Sequence, residues 1–137
     1  MTWVVDTCVL LDVLEDDPAF GGPSADLLDS LAEEGLSVCP VTYVELAPAF
    51  RGDLALQDEF LSGIGVEPVD SWSWDDTASA HSAWSRLTQE RRAGRAAKRP
   101  IADVLIGAFA ARRSGLITRN PQDFLSAFPK LSIRTPG

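Results

Sequence analysis

Histidine is nearly absent. The one present, His81, falls in the middle of a predicted helix, far from any other candidate group, in a chain of 137 residues. That excludes Ser-His-Asp and Cys-His machinery, which needs an imidazole beside the nucleophile. Cysteine is almost as scarce. Cys8 and Cys39 are each flanked by apolar residues, and their spacing matches no zinc or redox motif, so both read as buried, reduced thiols. Neither a GxGxxG nor a Walker A pattern occurs, so dinucleotide and nucleoside-triphosphate chemistry lack a phosphate cradle. No apolar run approaches the roughly 18 residues of a membrane span. The N-terminus has no basic segment, and Asp6 interrupts its first apolar run; no signal peptide is expected, and the expected location is the cytoplasm.

Positive charge is missing from most of the chain. Residues 1–85 hold 17 Asp and Glu but a single basic residue, Arg51, whereas residues 86–137 hold 11 Lys and Arg and only Glu90, Asp103 and Asp123 as acids. The overall charge is −8. Such a division can set two fields on one surface: an acidic pole suited to a metal cation and a basic pole suited to phosphate.

What is present suggests one globular domain spanning residues 1–137, with 45% apolar residues and no repeat or low-complexity linker. Short apolar strands are predicted at Thr2–Asp6, Leu36–Cys39, Val66–Val69, Leu116–Thr118 and Leu131–Arg134. Helical periodicity is predicted over Thr7–Asp16, Ser24–Glu34, a segment from Tyr43 capped by Thr42 with Glu45 at the third position, Asp53–Leu61, Ser73–Arg92 and Pro100–Ser114, with a short helix at Pro121–Phe124. Strands alternating with helices argue for an α/β fold with a parallel sheet covered on both faces.

Three acids stand alone in apolar surroundings. Asp6 is the sole charge from Met1 through Leu11, Glu45 the sole charge in GLSVCPVTYVELAPAF, and Asp103 the sole charge in PIADVLIGAFAA. Burying a carboxylate costs several kcal/mol or more unless it is compensated. A helix dipole returns roughly 0.3–1 kcal/mol, too little to offset burial of Asp103. Each acid has a local explanation: a cap at Asp6, a capping box at Glu45, a dipole partner at Asp103. Asp6 and Glu45 also lie at or just after the carboxyl ends of predicted strands, the edge where open α/β sheets build sites. Converging carboxylates repel unless protonated or bridged by a cation. An all-oxygen donor set selects Mg²⁺ or Mn²⁺ over zinc.

Four segments in order, VVDTCVLLD, TYVEL, PIADVLIGAFA and LITRNPQDF, resemble the PIN-domain family, specifically the VapC-type toxins of toxin–antitoxin pairs. The resemblance covers Trp3 to about Phe128. It implies a PIN-like three-layer α/β/α fold with a central, mostly parallel five-stranded sheet. It implies a Mg²⁺- or Mn²⁺-dependent endoribonuclease, a homodimer, and an inhibitory VapB-like antitoxin. The family's acids fall on Asp6, Glu45 and Asp103, with Asn120, Asp123 or both at the fourth position. Metal would then be held by Asp6, Asp103 and Asp123, and Thr7 and Thr118 match hydroxyl positions beside the site. Asp12 reads as a solvated helix residue.

The segment RLTQERRAGRAAKR offers Arg86, Arg91, Arg92, Arg95, Lys98 and Arg99 as candidate RNA phosphate contacts. Trp72, Trp74 and Trp84 either stack bases or fill a core. Leu27, Leu28, Leu31, Leu54, Leu56 and Phe60 either line a groove for an antitoxin helix or serve a core. Two other readings compete: a non-cleaving PIN-like module that binds RNA or protein, and an acidic-pocket phosphatase or receiver-like domain. The receiver wants a late lysine, for which Lys130, just ahead of the last strand, is a poor match.

Overall fold

The computed structural model describes residues 1–67, 70–95 and 97–137. Four short parallel strands make the sheet: β1 (Trp3–Val5), β2 (Leu36–Ser37), β3 (Gly115–Ile117) and β4 (Ile133–Arg134), in the spatial order β2-β1-β3-β4. Val4 pairs with Ser37 on one side and Leu116 on the other, and Leu116 pairs with Ile133. The expected fifth strand is not described. Val66 makes one parallel bridge to Leu36, and residues 68 and 69 lie outside the described residues.

Helices pack on both faces because successive strand side chains point to opposite sides. Val5 and Ile117 face a cluster with Val9 and Leu10 of α1 (Thr7–Leu14), Leu28 and Leu31 of α2 (Gly21–Leu31), and Leu61. Val4 and Leu116 face Ile106, Phe109 and Ala110 of α6 (Ile101–Ala111). Each fully buried aliphatic or aromatic side chain of this kind contributes roughly 1.5–3 kcal/mol. Helix α6 is buried along most of its length, as its composition requires, and α5 (Trp74–Arg92) covers it with Ala80, Ala83 and Leu87. Leu28 and Leu31 are therefore core residues, while Leu54 and Leu56 are exposed. Among the described residues, no helix is long and apolar enough to cross a membrane.

Local chemistry corrects two expected starts. Pro40 sits at the first position of α3 (Pro40–Glu45), where its missing N–H costs nothing. The helix thus begins ahead of Thr42, which is buried inside it, and the Thr42–Glu45 capping box does not form. A capping box forms instead at the start of α5, where Ser73 Oγ accepts from the Asp76 N–H and Asp76 Oδ2 accepts from the Ser73 N–H at 2.9 Å. Ser24 is not a cap either; it is buried within α2 with an unpartnered hydroxyl. Asp53 caps α4 (Leu54–Gly63), and the short α7 (Gln122–Leu125) follows β3.

Gly115 allows a close approach no other residue permits. At φ +152°, a side chain there would strike the Ser132 carbonyl and come within 2.7 Å of the Trp3 ring.

Candidate functional site

Strand order reverses direction between β1 and β3, and their carboxyl ends flank the crevice this creates. Asp6 follows β1 directly and caps α1, its Oδ1 accepting from the Thr7 N–H at 2.8 Å. Thr118 follows β3, and its hydroxyl donates to Asp6 Oδ2 at 2.8 Å. The Cys8 thiol donates to the same oxygen at 3.3 Å. Asp6 is 7% exposed, and among the described residues it makes no ion pair. Burial raises its pKa; the bonds from Thr118, Cys8 and Thr7 oppose that rise, and the charge of Asp103 adds to it. Burial likewise pushes the Cys8 thiol up to about 11, so it remains a proton donor to Asp6.

Glu45 joins through Thr7, whose hydroxyl donates to Glu45 Oε1 at 2.8 Å and lies 3.1 Å from Thr42 Oγ1. It ends α3, the end at which the helix dipole disfavours a carboxylate. Local folding energetics therefore give little reason for an acid there.

Asp103 stands in the first turn of α6 and Asp123 in the first turn of α7. Between them lies Arg99, 3.0 Å from Asp103 Oδ2 and 2.9 Å from Asp123 Oδ1. Burial raises Asp103, Arg99 opposes that rise, and Asp123 adds to it. Asn120 turns elsewhere. Its N–H donates to Thr118 Oγ1 at 3.1 Å, and its Nδ2 is 3.9 Å from the Cys8 sulfur. Asp6, Thr7, Glu45 and Thr118 are thus linked by hydrogen bonds with Asn120 at their edge, and no hydrogen bond joins Asp103 to Asp6 among the described residues. Asp123 reaches the group through Arg99.

Among the described residues, no three His, Cys, Asp or Glu side chains gather closely enough to hold a metal ion. The donor set nonetheless fits a hard divalent cation in kind. It offers carboxylates without imidazole, and it includes a desolvated Asp6 with no cation of its own. Arg99 supplies the positive charge that draws Asp103 and Asp123 together.

Two residues of the site escaped the sequence reading. Cys8 was legible only as a buried thiol, and Arg99 stood among six candidate RNA contacts. Two of those six are committed within the fold: Arg99 to the carboxylates, and Arg86 to the Ala127 carbonyl. Arg91, Arg92, Arg95 and Lys98 are exposed. Trp72 stacks on Phe109, whereas Trp74 is 80% exposed. Asp12 is not solvated. It is buried, with Arg119 beside it.

No family model and no curated protein sequence matches the chain. Several solved chains share its fold, among them two from complexes bound to DNA. One is VapBC2 from Rickettsia felis bound to a DNA fragment from their promoter, with a TM-score of 0.69 and 17% identity over all of both chains. The other is FitAB bound to an IR36 DNA fragment, with a TM-score of 0.70 and 20% identity over 98% of this chain and 95% of that one. These findings correct the family assignment drawn from the four segments. The likeness is to components of two-protein complexes held on DNA, at identities that establish a common fold alone. Membership among the VapC-type PIN toxins is therefore withdrawn.

Proposed function

We propose that this chain is a divalent-metal-dependent endoribonuclease, a phosphodiester hydrolase, belonging to a toxin–antitoxin pair. One observation carries the reading: Asp6, a buried carboxylate with no cation partner among the described residues, sits at the sheet's switch point, held by Thr118, Cys8 and the Thr7 N–H. Folding alone gives little reason to keep it there. The structural neighbours from VapBC2 and FitAB support the pairing with a second protein.

Mg²⁺ or Mn²⁺ would supply Lewis acidity, offsetting the charge that builds on phosphate oxygens during hydrolysis. Asp6 and Asp103 would hold it, with Asp123 joining once Arg99 lets go. Thr118, Cys8 and the Thr7 N–H fix the orientation of Asp6. Glu45, oriented by the Thr7 hydroxyl, is exposed and takes the proton from an attacking water. Asn120 adds a neutral carboxamide at the rim. Exposed Arg91, Arg92, Arg95 and Lys98 offer phosphate contacts beyond the carboxylates. A second copy of the chain would cover the apolar depression lined by Trp72, Trp84, Ile101, Val104 and Leu105, giving a homodimer.

A second reading makes the chain a non-cleaving partner that binds nucleic acid. It is favoured by the DNA in both neighbouring complexes and by Arg99 neutralising two of the acids. One experiment separates the two. The purified chain is incubated with single-stranded and structured RNA in Mg²⁺, Mn²⁺ or EDTA, beside Asp6→Asn and Asp103→Asn, with duplex DNA binding measured in parallel. Metal-dependent cuts lost in both variants support the nuclease. Nucleic-acid binding without cuts in any metal overturns it in favour of the second reading.

A further inference from the structure

Asp12 repeats the puzzle of Asp6 in a different place. It is 5% exposed on α1, and its Oδ2 makes no hydrogen bond. Its cation is Arg119, whose Nε lies 3.3 Å from that oxygen. The same guanidinium lies over the Phe20 ring, 4.7 Å from its centroid. A buried carboxylate paired with a partly exposed guanidinium adds little to stability. What it does achieve is placement: one carboxylate and one aromatic face fix a planar fork.

The place matters. Arg119 lies between Thr118, which donates to Asp6, and Asn120. Side chains alternate along an extended chain, so Thr118 reaches the carboxylates while Arg119 turns toward α1 and Phe20. Its side chain is about one-third exposed, and no hydrogen bond joins its Nη atoms to the described residues. The unpartnered edge of this guanidinium suits the oxygens of a phosphate.

The geometry points to Arg119 as a substrate-binding residue that grips a backbone phosphate of single-stranded RNA flanking the cut, with Asp12 and Phe20 as its positioning residues. This rests on the phosphodiester-cleaving reading for its substrate, but it is read out by binding without turnover. A 5′-fluorescein single-stranded RNA 12-mer is titrated with the chain in EDTA across a KCl series, by anisotropy, for wild type, Arg119→Ala, Arg119→Gln, Arg119→Lys and Asp12→Asn. Arg119→Ala and Arg119→Gln should each weaken binding about tenfold and lower the salt slope by about 0.7, the contribution of one single-strand phosphate. Arg119→Lys should keep the slope, and Asp12→Asn should keep the slope while weakening binding several-fold. Arg119→Gln guards against misfolding of the alanine variant. Wild-type affinity and slope in either neutral variant would overturn the assignment, as would a wild type that does not bind the RNA, or a defect confined to duplex DNA. If wild type binds with the Arg119 dependence but never cleaves in Mg²⁺ or Mn²⁺, the phosphate contact stands and the nuclease reading falls.

Discussion

Thr118 Oγ1 donates to Asp6 Oδ2 at 2.8 Å, joining residues 112 positions apart in the chain. Both are buried, and the bond closes the crevice between β1 and β3. Thr118→Val keeps the shape and removes the donor. It should cost about 1–2 kcal/mol of stability, because a charged acceptor loses a partner in a dry place. It should also move the acidic limb of the cleavage pH profile upward, since the bond favours ionised Asp6. Urea denaturation and pH–rate curves measure the two effects separately.

Arg99 bridges Asp103 and Asp123, so a cation held by these two acids, as proposed, would have to displace it. Arg99→Ala should bind Mn²⁺ about tenfold tighter, ~1.4 kcal/mol, as read by calorimetry or by loss of the free-ion EPR signal. Unchanged or weaker Mn²⁺ binding would show that the guanidinium does not compete for the site.

The pH dependence of stability carries opposing contributions. Folding raises Asp6 and Asp103 above the ordinary aspartate value of 3.8, so the folded chain binds these protons more tightly than the unfolded chain. Their contribution is present below that value and is lost as pH rises through the raised values. Without metal, Asp6→Asn should therefore be more stable than wild type at about pH 7, with the advantage shrinking toward about pH 4. Thermal melts in EDTA across that range test the sign. Adding Mn²⁺ should raise Tm for wild type but not for Asp6→Asn.

Asp76 behaves the other way. Burial raises its pKa, but the Ser73 N–H with Arg113 and Arg112 outweighs burial and leaves the carboxyl below its ordinary value. Its stabilisation is present above 3.8 and is lost as pH falls through the lowered value. Asp76→Asn breaks a buried pair and should cost about 3 kcal/mol. Arg112→Ala removes a half-exposed partner and should cost under about 1 kcal/mol. Chemical denaturation of both variants gives the comparison.

The legible parts of this protein were those fixed by local pattern. β1, the apolar α6 and the isolation of Asp6, Glu45 and Asp103 are all visible in runs of a few residues. Glu45 shows the limit. Its spacing from Thr42 imitates a capping box, yet Pro40 starts the helix earlier and leaves the acid at the far end, facing Thr7. Asp12 and Arg119 were opaque because their pairing spans most of the chain. Arg99 was misplaced for a different reason: a run of basic residues looks like one surface, whereas packing turned Arg86 and Arg99 inward. The Val66–Val69 stretch has the composition of a strand, but a single bridge at Val66 is all that pairs within the described residues. The α/β class and the parallel sheet were legible, with four strands described where five were expected; the family assignment was not, because the solved neighbours, at 17% and 20% identity, establish a common fold alone.

Gly115 lies at the opposite end of β3 from Thr118, against the Trp3 ring and the Ser132 carbonyl. A methyl group added there has no room, so the strand must slide or tilt, and the hydroxyl at its other end travels with it. Loss-of-function substitutions should therefore appear on the floor of the sheet as well as at its mouth. A random screen for inactive yet folded variants would draw two separate patches on the molecule, only one of them within reach of substrate.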